Sequence, residues 1–271
     1  MTAIDPTRLI ASRDGTPIAV FASGDGPPLI LVHGTAADHT TFRVLGPLLA
    51  TERTVHAIDR RGRGASGDTP PYDIEREFED VVAVAETLRS ELGGAVDVFG
   101  HSYGGRCALG AATRTDAIRR VISYEGAPTP AGLTYGDTSE RAHLEELAAA
   151  GDGDTLLATF MTRVVGMTPD DLARYRSDPV WPVRVAAAPT IVRELHAESG
   201  TVADLDALGR VTQPVLQLLG GESKETFASA TWALDALLLD GRVVVIPGAK
   251  HAAHHTHPDA VVEAVQAFLD V

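Results

Sequence analysis

Short, almost wholly apolar runs recur along this chain at residues 29–32, 55–58, 96–99, 121–124, 215–219 and 243–246, and most are followed by a segment of helical apolar spacing. Runs of strand length with no polar alternation leave neither face for water. They predict a parallel sheet covered by helices on both faces, the α/β class. Residues 9–12 and 18–22 differ, because they flank Arg13-Asp14-Gly15-Thr16, a turn that predicts an antiparallel hairpin ahead of the parallel strands. The clearest helix spans 74–92, with Asp73 as N-cap, a stripe of Phe78, Val81, Val82, Ala85, Leu88 and Leu92, and Gly93-Gly94 as the stop. Further helices are predicted at about 224–238 and 258–269. Residues 127–210 hold helical patterns at 139–150 and 154–165, and a good capping sequence with Pro at the first helical position in Thr168-Pro169-Asp170-Asp171. The organisation expected is a core of residues 1–126 and 211–271 interrupted by a helical cap at 127–210.

A length of 271 residues suits one large domain with such an insertion better than two independent folds. With 37 acidic against 23 basic side chains, the net charge of -14 repels nucleic acid and anionic membrane surfaces, so neither is expected as a partner. Cys107 is the single cysteine, which excludes an intramolecular disulfide and a cysteine-based zinc site. Residues 1–15 lack an apolar run of signal-peptide length, and no stretch approaches the roughly 20 apolar residues that span a bilayer. A cytoplasmic monomer or homodimer acting on a small molecule is the expectation.

Gly100-His101-Ser102-Tyr103-Gly104 matches G-x-S-x-G directly after the run at 96–99 and before a small-residue helix at 105–112. Such a turn must be tight enough to lift the Ser102 hydroxyl clear of the backbone, and flanking glycines let neighbouring chain pass. His33-Gly34-Thr35 follows the run at 29–32, Asp59-Arg60-Arg61-Gly62-Arg63-Gly64-Ala65-Ser66-Gly67 follows that at 55–58, and Pro247-Gly248-Ala249-Lys250-His251 follows that at 243–246. In this order the four landmarks resemble the α/β-hydrolase family over essentially the whole chain.

The resemblance implies an α/β-hydrolase fold, a mostly parallel eight-stranded sheet, and a serine hydrolase that needs no cofactor. It also implies that the backbone N–H groups of Thr35 and Tyr103 form the oxyanion hole. His251, on the loop after the last strand, is the candidate general base. The acid departs from the commonest family pattern, since Gly220-Gly221-Glu222-Ser223 puts serine where many members carry aspartate. Some members place the acid one strand earlier, which makes Glu125 the preferred candidate and Glu222 the alternative. The bland reading of Glu125 is a salt-bridge partner of Arg106 or Arg120.

Other features are weighed and set aside. Gly62 to Gly67 spells the dinucleotide fingerprint G-x-G-x-x-G, but Asp68-Thr69-Pro70-Pro71 follows and blocks a helix, so the three arginines there are expected to be solvated or paired with carboxylates. His251 and His255 have metal-like i, i+4 spacing without the glutamate of H-E-x-x-H, and no metal site is expected. Cys107 reads as a packing residue. His33, Met161 and Trp181 are further candidates for touching substrate. The preferred activity is hydrolysis of a carboxylic ester or lactone of a small, largely apolar substrate through an acyl-enzyme. The alternatives are carbon–carbon bond hydrolysis on the same triad, or a non-hydrolytic ligand-binding or biosynthetic scaffold.

Overall fold

A computed structural model describes residues 5–197 and 200–270, so the ends of the expected core and two positions of the 127–210 stretch lie outside the described residues. The strands are β1 (Arg8–Ala11), β2 (Pro17–Ser23), β3 (Pro28–Val32), β4 (Thr54–Ile58), β5 (Val96–His101), β6 (Ile118–Tyr124), β7 (Val215–Gly220) and β8 (Gly241–Ile246). They make one eight-stranded sheet in the order β1-β2-β4-β3-β5-β6-β7-β8. β1 and β2 form the expected antiparallel hairpin and β2 joins β4 antiparallel, while every later pairing is parallel.

The continuous apolar runs arise because both faces of the sheet are covered. Along β3, Ile30 and Val32 enter a core shared with helices Ile74–Leu92 and Tyr103–Ala112, while Leu29 and Leu31 enter a second core with helices Leu45–Leu49 and Pro258–Leu269. Side chains alternate between faces with period 2, so two dry faces require every residue to be apolar. The expectation of full cover fails at β8, where Val244 and Val245 are 36% and 43% exposed. β8 is the sheet's edge, beyond the full cover given to interior strands.

Helix Ile74–Leu92 begins where Asp73 accepts from the Glu75 N–H and ends at Gly93 with φ 77°. Its buried face departs from the predicted stripe: Leu92 is exposed, whereas Glu77 and Asp80 are buried. The cause lies in the loop after β4, whose arginines turn inward. Arg60 makes two hydrogen bonds to Glu77 (2.9 and 2.7 Å), Arg63 reaches the same carboxylate at 3.1 Å, and Arg61 grips Asp80 at 2.7 and 2.6 Å. The loop itself coils round buried Asp59, which accepts from the N–H groups of His39 and Ala65, so it opens no helix.

Between β6 and β7 the chain forms helices Thr138–Ala149, Gly153–Thr159, Pro169–Ser177, Trp181–Ala187 and Thr190–Ala197. Thr168 caps the third, with Pro169 in its first turn, as expected. The helix expected at 154–165 is not uniform, since Phe160–Val165 widens into a π-helical turn. Widened turns of this kind recur at functional sites. No helix among the described residues is long and apolar enough to cross a membrane.

Burial alone would raise the Glu77 carboxyl, but Arg60 and Arg63 outweigh it and draw it down to about 2. A carboxyl depressed in the folded state stabilises the fold above its unfolded value near 4.5, and that contribution is lost as pH falls toward 2. Glu77→Gln leaves two buried guanidinium groups short of their counter-charge and is expected to cost about 3 kcal/mol at neutral pH. Urea titrations should also show that the variant lacks part of the wild-type stability loss below pH 4.5; equal stability of the two at pH 7 would refute the role given to this carboxylate.

Candidate active site

The parallel register brings five strand ends level: Val32 lies beside Gly100, His101 beside Tyr124, Tyr124 beside Leu218, and Gly220 beside Ile246. Loops leaving these ends must therefore meet. The crevice opens between β3 and β5, where the chain's winding reverses, the usual place for a ligand in an open α/β sheet.

Ser102 stands between β5 and helix Tyr103–Ala112 with φ 53° and ψ -127°. Its N–H is tied to the Tyr124 carbonyl at 2.8 Å. The turn closes only because Gly104 has no side chain: a Cβ there would sit 2.3 Å from the Val32 carbonyl oxygen. Gly100 is under the same constraint, 2.3 Å from the Gly104 oxygen.

Glu125 follows β6, also at positive φ (49°), with its N–H on the Leu218 carbonyl. Its Oε2 lies 2.5 Å from His251 Nδ1, and its Oε1 accepts from the Gly220 N–H (2.7 Å) and the Ser223 hydroxyl (2.6 Å). Both oxygens of a buried carboxylate are thus occupied, with the His251 Nδ1–H as donor to one of them. Glu222 is exposed, and among the described residues its side chain makes no bond while its N–H donates to the Ala249 carbonyl. The serine in the slot where many family members carry aspartate supports Glu125 through its hydroxyl.

The loop bearing His251 is fastened on three sides. The Tyr124 hydroxyl donates to the Lys250 carbonyl and accepts from the Ala253 N–H, and His101 Nε2 donates to the His251 carbonyl at 2.8 Å. Phe227 stacks on the His251 ring with centroids 4.3 Å apart. Burial, then the proximity of His251, pushes His101 well below the usual imidazole range. Burial likewise depresses His254, and burial with Arg43 brings His255 to about 4. His255 belongs to the short helix Ala253–Thr256 while His251 precedes it, so the two share no helix face.

Ser102, His251, Glu125, Thr35 and Tyr103 line one pocket of about 450 Å³, its open mouth included. Ser102 and His251 face the same pocket, and the hydrogen bond of His251 Nδ1 to Glu125 leaves Nε2 as the ring's other nitrogen. The helical segment supplies an apolar wall of Phe160, Val164, Val165 and Leu195. Three residues expected to touch substrate lie elsewhere. His33 is fully buried, its Nε2 accepting from the Arg60 N–H and its Nδ1 donating to the Gly34 carbonyl, and burial with Arg60 keeps it neutral. Met161 packs into the core, and Trp181 donates to Asp154 against Tyr175. Periodicity could not separate wall from core here. Sequence reading also missed that Ser223 bonds Glu125 and that Phe227 and Glu194 line this pocket, because distant segments bring them there; only the serine in the aspartate slot left a trace.

A covered parallel sheet with a serine on a strained turn, and a histidine–carboxylate pair at the same sheet end, defines the class: enzymes of the α/β-hydrolase fold. The chain belongs to the alpha/beta hydrolase family, whose model matches residues 29–264. It is 29% identical over 262 residues to a 2-(acetamidomethylene)succinate hydrolase of Mesorhizobium japonicum, covering 93% of this chain and 91% of that one. It is 25% identical to a pimeloyl-[acyl-carrier protein] methyl ester esterase of Nitrosomonas europaea, covering 93% and 99%. The crystal structure of an alpha/beta hydrolase from Sphaerobacter thermophilus superposes with a TM-score of 0.82 at 33% identity, covering 96% and 99%.

A serine at φ 53° is strained where glycine is not. Ser102→Gly is therefore expected to raise folding stability by about 1 kcal/mol while Ser102→Ala does not. Thermal denaturation of the three proteins tests this, and a glycine variant less stable than wild type would contradict the strained elbow.

Proposed function

We propose that the protein is a serine hydrolase that cleaves a carboxylic ester or lactone of a small, largely apolar substrate through an acyl-enzyme. The observation that carries this reading is the 2.5 Å contact of Glu125 with His251 beside the Ser102 elbow. In this mechanism the Ser102 oxygen attacks the acyl carbonyl as His251 Nε2 takes its proton, and the Nδ1–H stays on the ring, donating to the Glu125 carboxylate, which stabilises the imidazolium. The N–H groups of Thr35 and Tyr103 meet the oxyanion; losing one such donor typically costs about 10²- to 10³-fold in turnover. Collapse of the tetrahedral adduct expels the alcohol, which takes the proton from His251. Water then attacks the acyl-enzyme with His251 again as base, freeing the acid and Ser102. The helical 127–210 segment acts as a lid that selects the substrate and excludes bulk water.

A second reading is carbon–carbon cleavage by the same parts; the likeness to the 2-(acetamidomethylene)succinate hydrolase, whose named substrate carries an amide and two carboxylates rather than an ester, favours a substrate other than an ester without specifying the bond. A panel of acyl esters and lactones set against a diketone separates the two. A fluorophosphonate probe is expected to label wild type and not Ser102→Ala; an unlabelled, well-folded wild type would favour the scaffold role instead. Glu125→Gln is expected to lower kcat by about 10³-fold or more and Glu222→Gln by less than about twofold. Loss of turnover in the Glu222 variant alone would overturn the assignment of the acid.

A further inference from the structure

The widened turn Phe160–Val165 carries three side chains of the pocket wall, Phe160, Val164 and Val165. Such a turn is uncommon, and like any helix it ends on carbonyls with no partner inside it. The Met161 carbonyl is met by the N–H groups of Gly166 and Met167. The Arg163 and Val164 carbonyls are met from 61 and 60 residues further along the chain, by the Lys224 ammonium at 2.9 and 3.2 Å. A cation there also faces the negative end of the helix dipole. The lysine stem lies against Gly166, where a Cβ would stand 2.7 Å from Lys224 Cδ and where φ is 86°. Lys224 in turn caps helix Glu225–Asp235, and its carbonyl accepts from the N–H of Phe227, the residue stacked on His251. The wall of the pocket and the support of the His251 ring are thus fastened at one helix start.

We propose that Lys224 is a positioning residue that sets the size limit of the pocket: its ammonium holds the turn Phe160–Val165 inward, so that Val164 and Val165 bound the space open to the apolar part of the substrate. This rests on the hydrolase reading above for the pocket as a substrate site. Lys224 is not among the residues lining the pocket and touches no reacting atom; it acts through the two carbonyls. Loss of the ammonium leaves those carbonyls to water and lets the turn move outward. Ser102 and Glu125 stay in place, because the sheet ends hold them. A pocket bounded in this way rejects longer chains by collision with the valines. A lysine that only fastened the surface would change stability and leave the chain-length preference as it was.

The probes are 4-nitrophenyl esters of straight-chain acids from acetate to decanoate. Lys224→Met keeps a stem on Gly166 and removes the charged head, so it isolates the two hydrogen bonds from the packing. In Lys224→Met the ratio of kcat/KM for the octanoate to that for the butyrate is expected to rise about tenfold, mostly through KM. Lys224→Arg keeps a donor for the carbonyls and is expected to restore most of the wild-type preference. Hydrogen exchange of the amides at 160–167 is expected to quicken in Lys224→Met, and equal exchange in the two proteins would overturn the hold on the turn. The same shift toward longer chains is expected in Kd when the esters are titrated calorimetrically into Ser102→Ala with and without Lys224→Met, a readout that needs no turnover. A chain-length profile unchanged in both kcat/KM and Kd would overturn the proposal and leave the serine hydrolase standing. A wild type that neither turns over the esters nor takes the fluorophosphonate label, while the Kd profile shifts with Lys224→Met, would support the size limit and sink the hydrolase reading.

Discussion

Backbone lies directly against backbone at the end of β5, and the geometry of the site follows from that closeness. A Cβ on Gly104 would stand 2.3 Å from the Val32 oxygen, and one on Gly105 would stand 2.7 Å from the Ser123 hydroxyl oxygen. Helix Tyr103–Ala112 can therefore start in contact with both neighbouring strands only if these positions carry hydrogen alone. Ser102 is forced to positive φ as a consequence, and the strain is borne by the packed sheet around it. The same contact brings the loop after β3 level with the serine, so Thr35 and Ser102 share one pocket.

Glu125 shows how a carboxylate can reach a histidine from a neighbouring strand within a fixed scaffold. Glu125 leaves β6 rather than β7, yet its carboxylate is received at the end of β7 by the Gly220 N–H and the Ser223 hydroxyl. The longer glutamate side chain spans part of the roughly 4.8 Å between adjacent strands. The donors that meet Oε1 leave Oε2 to face His251, so the imidazole has one orientation in which Nδ1 is satisfied. Tyr124 and His101 fasten the backbone on either side of that histidine, which makes the ring's position a property of the sheet rather than of a free loop.

The arginines after β4 link this site to the helical segment. Arg60 joins Glu77 on helix Ile74–Leu92 to Glu194 on the pocket wall, with all three side chains 1% exposed. Burying these charges is favourable only because each guanidinium fork is met by carboxylates on more than one side. One cluster thereby sets the seat of the helical segment and presents Glu194 at the cavity.

The order of strands and helices, the antiparallel hairpin, the strand-to-helix turn at Ser102 and the loop that carries His251 after the last strand were legible in the sequence. Each depends on local pattern: apolar period, turn chemistry, or glycines beside a serine. Glu125 could be preferred to Glu222 but not assigned from pattern, because the choice depends on which carboxylate the sheet register carries to His251. His33, Met161 and Trp181 do not line the pocket of Ser102 in the structure, and Glu77 and Asp80 are buried on the helix whose expected stripe included the exposed Leu92. Burial of a polar side chain is decided by partners that are distant along the chain, 17 residues away for Arg60 with Glu77 and 134 for Arg60 with Glu194. Local propensity determined the elements of this protein; only their packing, through register and buried charge pairing, decided which side chains meet.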